Sequence, residues 1–128
     1  MTKAAIQPGR PIRIGTTDTG HIVVALPGNP VSALACACLF VWPIVRALLG
    51  LPADLPWRSA TLAESVRANS RRQAFRPAAW RGDEGVVVPR WAGSGDLCHT
   101  DLTDGLLALP AQSDIVEAGT TLRFLPWP

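Results

Sequence analysis

The stretch Leu26-Pro27-Gly28-Asn29-Pro30-Val31-Ser32 decides the fold, because an apolar strand runs straight into it and a long apolar helix follows it. Asn29 is suited to be the helix N-cap, and Pro30 is suited to the first helical position, where a missing N–H costs nothing. A helix start leaves N–H groups unpaired and carries about half a positive charge. Gly28 lets a ligand approach the backbone, the prolines fix φ, and Ser32 adds a hydroxyl. The stretch therefore predicts an anion-binding helix start; a merely well-capped helix is the alternative.

On either side of this loop, the pattern predicts a hairpin and a helix. Strands are expected at residues 10–14 and 21–26, joined by a polar turn, and a helix at 30–49 that ends at Gly50. Pro43 predicts a kink near residues 39–43. The apolar run 31–51 approaches the roughly 20 residues that a membrane span requires, but Pro43, Arg46 and three alanines favour a core helix.

In the remainder of the chain, short apolar runs separated by turn residues predict an all-β domain. After a proline-containing linker, short strands are predicted at about 59–67, 72–80, 85–91, 105–110 and 120–125, with a hairpin turn at 81–85. Residues 93–104 read as a loop or one helical turn capped by Ser94 or Asp96. The fold class expected is an α/β remnant (residues 1–50) followed by a small all-β, barrel-like domain (residues 51–128). The first part is too apolar to stand alone.

Charge and cysteine content narrow the classes of function. The 128 residues carry a net charge of +2, too little to indicate a nucleic-acid partner. Four basic residues against one acidic residue lie in positions 1–50, and eight arginines against nine acidic residues follow, which suits a small anionic ligand near the loop. Three cysteines without paired spacing and without a secretory leader predict a reducing cytoplasm and buried thiols. No metal site is predicted.

Five segments, in order, resemble the MoeA/gephyrin E-domain family, the molybdopterin molybdenumtransferases. The similarity spans essentially the whole chain and rests on motifs that would be weak singly. The segments are Lys3-Ala4-Ala5-Ile6-Gln7-Pro8-Gly9-Arg10-Pro11, Val24-Ala25-Leu26-Pro27-Gly28-Asn29-Pro30-Val31-Ser32-Ala33, Leu39-Phe40-Val41-Trp42-Pro43, the run at 93–110 and Glu117-Ala118-Gly119.

The resemblance implies a function and a domain plan. It makes residues 1–50 the end of a doubly wound, molybdopterin-binding α/β domain and residues 51–128 the C-terminal β-barrel-like domain. The family inserts molybdenum from molybdate into adenylylated molybdopterin, releases AMP and uses a divalent cation such as Mg²⁺. The resemblance also implies a dimer acting on a small anionic substrate. The cysteines, the charge and the helix pattern described above predict a cytoplasmic protein without a nucleic-acid or membrane partner. Family members are much longer, so we expect this chain alone not to catalyse insertion.

The resemblance also assigns candidate ligand-binding residues. Lys3 matches a family lysine, and Gln7 takes the place of a second lysine, which replaces a cation by a neutral amide. Pro27 and Pro30 match the loop prolines that shape the pocket. Ser94 matches a serine that lines the same cleft. With the loop positions predicted above, the ligand-binding set is Lys3, Gln7, Pro27, Gly28, Asn29, Pro30, Ser32 and Ser94.

The acidic residues of the second half are not natural substitutes for family metal ligands. Asp96, Asp101 and Asp104 surround a short loop, where Asp usually caps turns and helices, so a structural role is predicted for them. His99 is predicted to be a surface residue, because it has no evident orienting partner. No catalytic residue is assigned.

A non-catalytic protein-interaction module is the alternative function. Four tryptophans support it, since aromatic residues are enriched at interfaces, although filling the barrel core would explain them equally well. They are Trp57, Trp80, Trp91 and Trp127. An RNA-binding barrel is weakly supported, because no basic stripe with interleaved aromatic residues is present.

Overall fold

A computed structural model of the chain describes residues 6–7, 12–68, 71–90, 92, 95–111 and 114–128. The strands are β1 (Ile6–Gln7), β2 (Arg13–Thr16), β3 (Ile22–Ala25), β4 (Arg58–Thr61), β5 (Val66–Arg67), β6 (Gln73–Trp80), β7 (Val86–Val87), β8 (Gly105–Leu109), β9 (Ile115–Val116) and β10 (Thr121–Pro126). The helices are α1 (Pro30–Cys36), a π-helical segment (Ala37–Val41), α2 (Trp42–Leu48), a 3₁₀ turn (Gly82–Glu84) and α3 (Leu97–Thr100).

The central sheet has the strand order β1-β6-β8-β10-β4, with β7 paired to β6. Every pairing in it is antiparallel except that of β1 with β6, and the sheet curls into half a barrel. All five residues of β8 are buried, as expected of a middle strand with both faces covered. Gly105 permits this pairing, because a Cβ there would lie 2.6 Å from Cζ of Phe124.

Each face of the sheet has its own apolar cluster, and alternation along β8 divides its side chains between them. Leu107 and Leu109 point into the cluster that the curled sheet closes on itself, around Phe124. Leu106 and Ala108 point to the other face, which the long helix covers. The buried members of this helix-facing cluster are Ala35, Cys38, Phe75, Leu106, Ala108 and Leu125.

The long helix changes its hydrogen-bond pattern before Pro43. The Trp42 N–H bonds to the carbonyl of Ala37, five residues back, at the end of the π-helical segment. π-Bulges and prolines are the usual causes of helix kinks. The π-helical segment overlaps the region where a kink was predicted, and the kink itself stays a prediction. The helix ends as predicted at glycine: Gly50 has φ of +70°, and the N–H of Leu51 bonds to the carbonyl of Arg46.

By length and composition, the helix Pro30–Leu48 is apolar enough to cross a membrane, with a mean hydropathy of 2.0. Core helices of water-soluble proteins have the same property, and its first half packs on the sheet, which supports the core-helix interpretation. The burial stops halfway along: Leu48 and Leu49 are each 69% exposed.

The strand predictions hold for the long strands and fail for the short ones. The hairpin is present as β2 and β3, and the predictions at 72–80, 105–110 and 120–125 match β6, β8 and β10. The predicted strand 59–67 is wrong in extent, because β4 ends at Thr61, a single isolated bridge joins Leu62 to Val86, and a regular strand resumes only at β5. The strand predicted at 85–91 is too long, because only the two residues of β7 form a strand there. The two-residue strands β1 and β9 were not predicted.

Candidate functional site

The loop between β3 and α1 presents an open helix start. Asn29 occupies the N-cap position with extended backbone, as predicted, but its side chain makes no capping hydrogen bond. The first helical bond runs from the Ala33 N–H to the Asn29 carbonyl, at 2.8 Å. Within the described part of the chain, the N–H groups of Val31 and Ser32 therefore have no partner. These are the donors that an anion would accept from.

Pro27 and Gly28 set the shape of this loop. Pro27 is buried and anchors the loop, whereas Gly28 is exposed. A Cβ placed on Gly28 would meet nothing within 4 Å, and its φ is not in the left-handed region. Since neither close packing nor a positive φ requires glycine here, its effect is to leave the backbone open on the solvent side.

Ser32 lies one residue into the first turn and is only 5% exposed. Among the residues that the structure describes, none forms a hydrogen bond with the Ser32 hydroxyl. A buried hydroxyl without a partner costs free energy.

The other predicted site residues are not part of this loop. Gln7 is half-buried on β1, at the edge of the central sheet, where it pairs with Ala74 of β6. Lys3 and Ser94 lie outside the described residues, as does Trp91. The structure thus brings together Pro27, Gly28, Asn29, Pro30 and Ser32, and it places Gln7 on a separate element.

A groove of about 730 Å³ runs between α1, α3 and the C-terminal segment. Its walls are mainly apolar, and its polar groups come from α3 and the turn that follows. The lining residues are Leu34, Leu97, Cys98, Thr100, Asp101, Thr103, Trp127 and Pro128. Sequence reasoning missed this groove, because its walls come from positions 34, about 100 and 127, which only the fold brings together.

The Asp96 carboxylate caps α3 and is only 9% exposed. It accepts hydrogen bonds from the N–H groups of Ala92 and His99 at 2.9 and 3.1 Å, and its Oδ2 lies 2.6 Å from Nδ1 of His99. The hydrogen bond from the Ala92 backbone, then that from His99, holds the pKa of Asp96 below its usual value. The predicted structural role of Asp96 is confirmed.

His99 is on the surface, as predicted, with its side chain 51% exposed. The expectation that it lacks an orienting partner is wrong. The first turn of α3 places residues three apart on one face, which brings its ring to Asp96. Asp104 is structural as predicted, since its Oδ2 accepts the Trp80 N–H at 2.8 Å.

The three cysteines differ in burial. Cys36 and Cys38 are buried on the helix, as predicted, and burial raises the pKa of each thiol to about 11. Cys98 is exposed, so the expectation of a buried thiol is wrong for it, because α3 turns that residue toward the groove. Among the residues that the structure describes, no three His, Cys, Asp or Glu side chains gather at one place.

The described tryptophans divide between core and surface. Trp57 and Trp127 are half-buried against the helix-facing cluster, and the guanidinium of Arg123 lies 4.2 Å from the Trp57 ring centre. Trp80 is 42% exposed, with its inner edge against Phe124. These two, together with Trp42, therefore help to fill the core, while Trp80 also offers an aromatic face to solvent.

A curled β sheet carrying a packed helix is the architecture of a known class of protein domain. The model of the MoeA C-terminal region (domain IV) matches residues 59–127. The chain belongs to this family.

Individual relatives extend the similarity to the helix and hairpin. The chain is 36% identical to molybdopterin molybdenumtransferase 2 of Mycobacterium tuberculosis, over 96% of this chain and 31% of the relative. It is 32% identical to molybdopterin molybdenumtransferase of Synechococcus elongatus, over 94% and 30%. The chain thus spans about a third of the length of these curated relatives.

Solved structures show the same fold. The molybdopterin biosynthesis MoeA protein of Pyrococcus horikoshii matches with a TM-score of 0.80 and 28% identity, over 98% of this chain and 31% of that one. A molybdenum cofactor biosynthesis protein of Pyrococcus furiosus matches with a TM-score of 0.78 over 99% and 45%; at 23% identity, this second likeness concerns the fold alone.

Proposed function

We propose that this chain is the C-terminal portion of a molybdopterin molybdenumtransferase, which inserts molybdate-derived molybdenum into adenylylated molybdopterin. The observation that carries the proposal is the open helix start, where the exposed Gly28 is followed by the buried Ser32 hydroxyl and by two N–H groups that have no partner among the described residues. Both substrates are anions, which such a helix start recognises. The relatives are named molybdopterin molybdenumtransferases, and the family resemblance supplies the reaction.

In this proposal the loop binds and orients, and it performs no chemistry. Val31 and Ser32 would donate to oxygens of phosphate or molybdate, while Gly28, Asn29 and the two prolines shape the approach. Lys3, Gln7 and Ser94 complete the proposed ligand-binding set. At Gln7 an amide replaces a family cation, so that contact donates a hydrogen bond without neutralising charge.

The proposal extends to the setting of the whole enzyme. Residues 1–50 would end a doubly wound α/β domain and residues 51–128 form the C-terminal domain of a cytoplasmic dimer. Mg²⁺ would serve the full-length family. The described carboxylates do not fit a Mg²⁺ site, because Asp96 and Asp104 are bonded to backbone N–H groups and no cluster of potential ligands occurs around them.

Amide NMR during titration with molybdate, tungstate or phosphate tests the loop. We expect the largest chemical-shift changes at Gly28, Val31 and Ser32. Gly28→Val should weaken binding at least tenfold without unfolding the chain, because the new side chain points into open space. Gly15→Val is the matched control, since Gly15 is equally unobstructed. Shift changes confined to other parts of the chain would refute the loop as an anion site.

A turnover assay tests the completeness of the site. We expect the purified 128 residues to form no molybdenum cofactor from adenylylated molybdopterin, molybdate and Mg²⁺. Full-length family enzyme serves as the positive control under the same conditions. Cofactor formation by this chain alone would show that the necessary groups lie within it.

A non-catalytic interaction module remains the second candidate, because a specific surface favours it. Apolar side chains on the hairpin and after α2 face solvent, including Val23 at 53% and Leu51 at 49% exposed. Size-exclusion chromatography with a hydrophobic dye discriminates: self-association or strong dye binding would support this surface as an interface. A dye-negative monomer would argue against it.

A further inference from the structure

We propose that α3 is a movable wall of the groove, anchored at Thr103 and Asp104 and latched at its other end by the carboxylate of Asp96. Asp96 does not line the groove, so it is a positioning residue that acts through α3. The use of the movement rests on the proposed function, because Leu34 places the groove about one helical turn from the loop that would bind an anionic substrate.

Small side chains, rather than leucines, dock α3 on the rest of the protein. Leu97 is 50% exposed, and Leu102, which follows the helix, is 72% exposed. Thr100 and Thr103 are the buried residues of this segment. A buried threonine contributes one methyl group, so this docking stabilises the segment less than a buried leucine would. Segments that bury little apolar surface open locally at a low cost in free energy.

Hydrogen bonds to the sheet anchor the end of the segment that follows α3. The Asp104 N–H donates to the Ala78 carbonyl at 2.9 Å, and the Asp104 carboxylate accepts the Trp80 N–H at 2.8 Å. Both partners belong to β6. The indole Nε1 of Trp127, directly after β10, donates to the Thr103 carbonyl at 3.0 Å. This end of the segment is therefore tied to two long strands.

The carboxylate of Asp96 latches the opposite end of α3. It accepts the N–H groups of Ala92 and His99, and its Oδ2 lies 2.6 Å from Nδ1 of His99. Ala92 and His99 are exposed and belong to no strand, so these bonds close a surface segment on itself. A charged acceptor at a helix N-terminus strengthens such bonds. Loss of the carboxylate would thus release this end while the other end stays anchored.

Movement about the anchored end would change the width of the groove. Leu97 and Cys98 line the groove from α3, and Leu34 lines it from α1. Because Leu97 lies next to the latched end, it would move further than Thr103. Inward movement would cover the apolar surface that Leu97 exposes, which favours closure around a bound ligand.

Amide hydrogen exchange of the 128-residue chain, followed by NMR, tests the latch. The informative amide is that of Asp101, because it donates to the Leu97 carbonyl at 2.9 Å and is not itself bonded to Asp96. Asp96→Ala should accelerate its exchange about tenfold, and Asp96→Asn, which keeps one acceptor oxygen, should restore part of the protection. Asp83→Ala removes a carboxylate from the exposed 3₁₀ turn; it is the matched control and should change the exchange less than twofold.

The anchored end and the core supply the internal reference for this experiment. In Asp96→Ala, the indole N–H of Trp127 and the amides of Asp104 and Leu107 should exchange at wild-type rates. Acceleration of all these groups together would mean that Asp96 stabilises the whole chain, and it would overturn the proposal. Unchanged exchange at Asp101 in Asp96→Ala would overturn it as well.

AMP, the product released in the proposed reaction, tests the use of the movement. AMP should slow the exchange of the Asp101 amide at least threefold in the unsubstituted chain, because a bound nucleotide favours the closed wall. AMP-induced shifts at Val31 and Ser32 without protection of Asp101 would overturn closure by α3 and leave the anion site standing. Absence of AMP-induced shifts at those two amides would count against the proposed function alone, since the latch is judged by Asp96→Ala without ligand.

Discussion

The two halves of the helix Pro30–Leu48 are both mainly apolar in sequence and differ in what covers them. In the first half, Ala35 and Cys36 are fully buried and Cys38 is 2% exposed. In the second half no residue is buried, and Leu48 reaches 69% exposure. The π-helical segment lies between them. Hydropathy thus predicts an apolar helix in the sequence. Only the surface against which the helix packs decides which part of it is buried in the core.

The largest expected effect comes from introducing a charged side chain into each half of the helix, which tests the comparison directly. Ala35→Asp should destabilise the chain by more than about 4 kcal/mol, because the carboxylate would be trapped against Phe75 and Leu106 without a partner. Leu48→Asp should change the free energy of unfolding by only about 0.5 kcal/mol. Urea unfolding monitored by circular dichroism measures both.

Equal destabilisation by the two substitutions would contradict the comparison. It would mean that the second half is covered in solution, either by another copy of the chain or by rearrangement of the hairpin. Concentration dependence of the unfolding midpoint separates these explanations, since only association makes the midpoint rise with protein concentration.

The sequence predicts the parts of the fold that local rules determine. Asn29 and Pro30 mark the helix start and Gly50 its end, because capping needs only neighbouring residues. The long strands β6, β8 and β10 follow from apolar runs. The strands β1 and β9 carry two residues each, too few for any periodicity, and β1 is defined by a partner more than sixty residues away.

The candidate site likewise has one part that the sequence predicts and one part that it does not. The loop from Pro27 to Ser32 is contiguous, so its chemistry could be predicted from the sequence. The groove could not, because Leu34 and Trp127 are far apart in sequence and only the fold brings them to one groove. The Asp96–His99 pair was predictable but missed: an N-cap aspartate three residues before a histidine places both on one face of the first turn.

A smaller effect, the reactivity of the cysteine thiols, tests whether the first half of the helix is buried as described. At pH 8 an alkylating reagent should modify Cys98 and leave Cys36 and Cys38 unmodified in the folded chain. Burial removes access to these two thiols, and their pKa of about 11 reduces the thiolate fraction by about 100-fold relative to a free thiol. Mass spectrometry should find one label per chain, and three in denaturant. Rapid labelling of all three would show that the packed half opens readily.

The thiols of Cys36 and Cys38 also make the stability of the folded chain depend on pH in the alkaline range. Their folded pKa lies above the unfolded value near 9.0, so the unfolded chain binds fewer protons between pH 9 and 11. Stability should therefore fall as pH rises through that window. Cys36→Ala/Cys38→Ala should reduce the slope, whereas Cys98→Ala should leave it unchanged.

The smallest expected effect concerns the cap of α3, which forms one wall of the groove. Hydrogen bonds hold the folded pKa of Asp96 below its usual value, so its contribution is present above the unfolded pKa and is lost as pH falls through the folded one. Amide exchange at His99 should therefore accelerate as the pH falls below about 4, more than the intrinsic exchange chemistry predicts. Asp96→Asn keeps an acceptor but lacks the charge, so it should weaken the cap at neutral pH and remove the pH dependence. An acid transition at His99 that persisted in Asp96→Asn would assign it to another carboxylate, and Asp101→Asn is the matched variant that tests the nearest one.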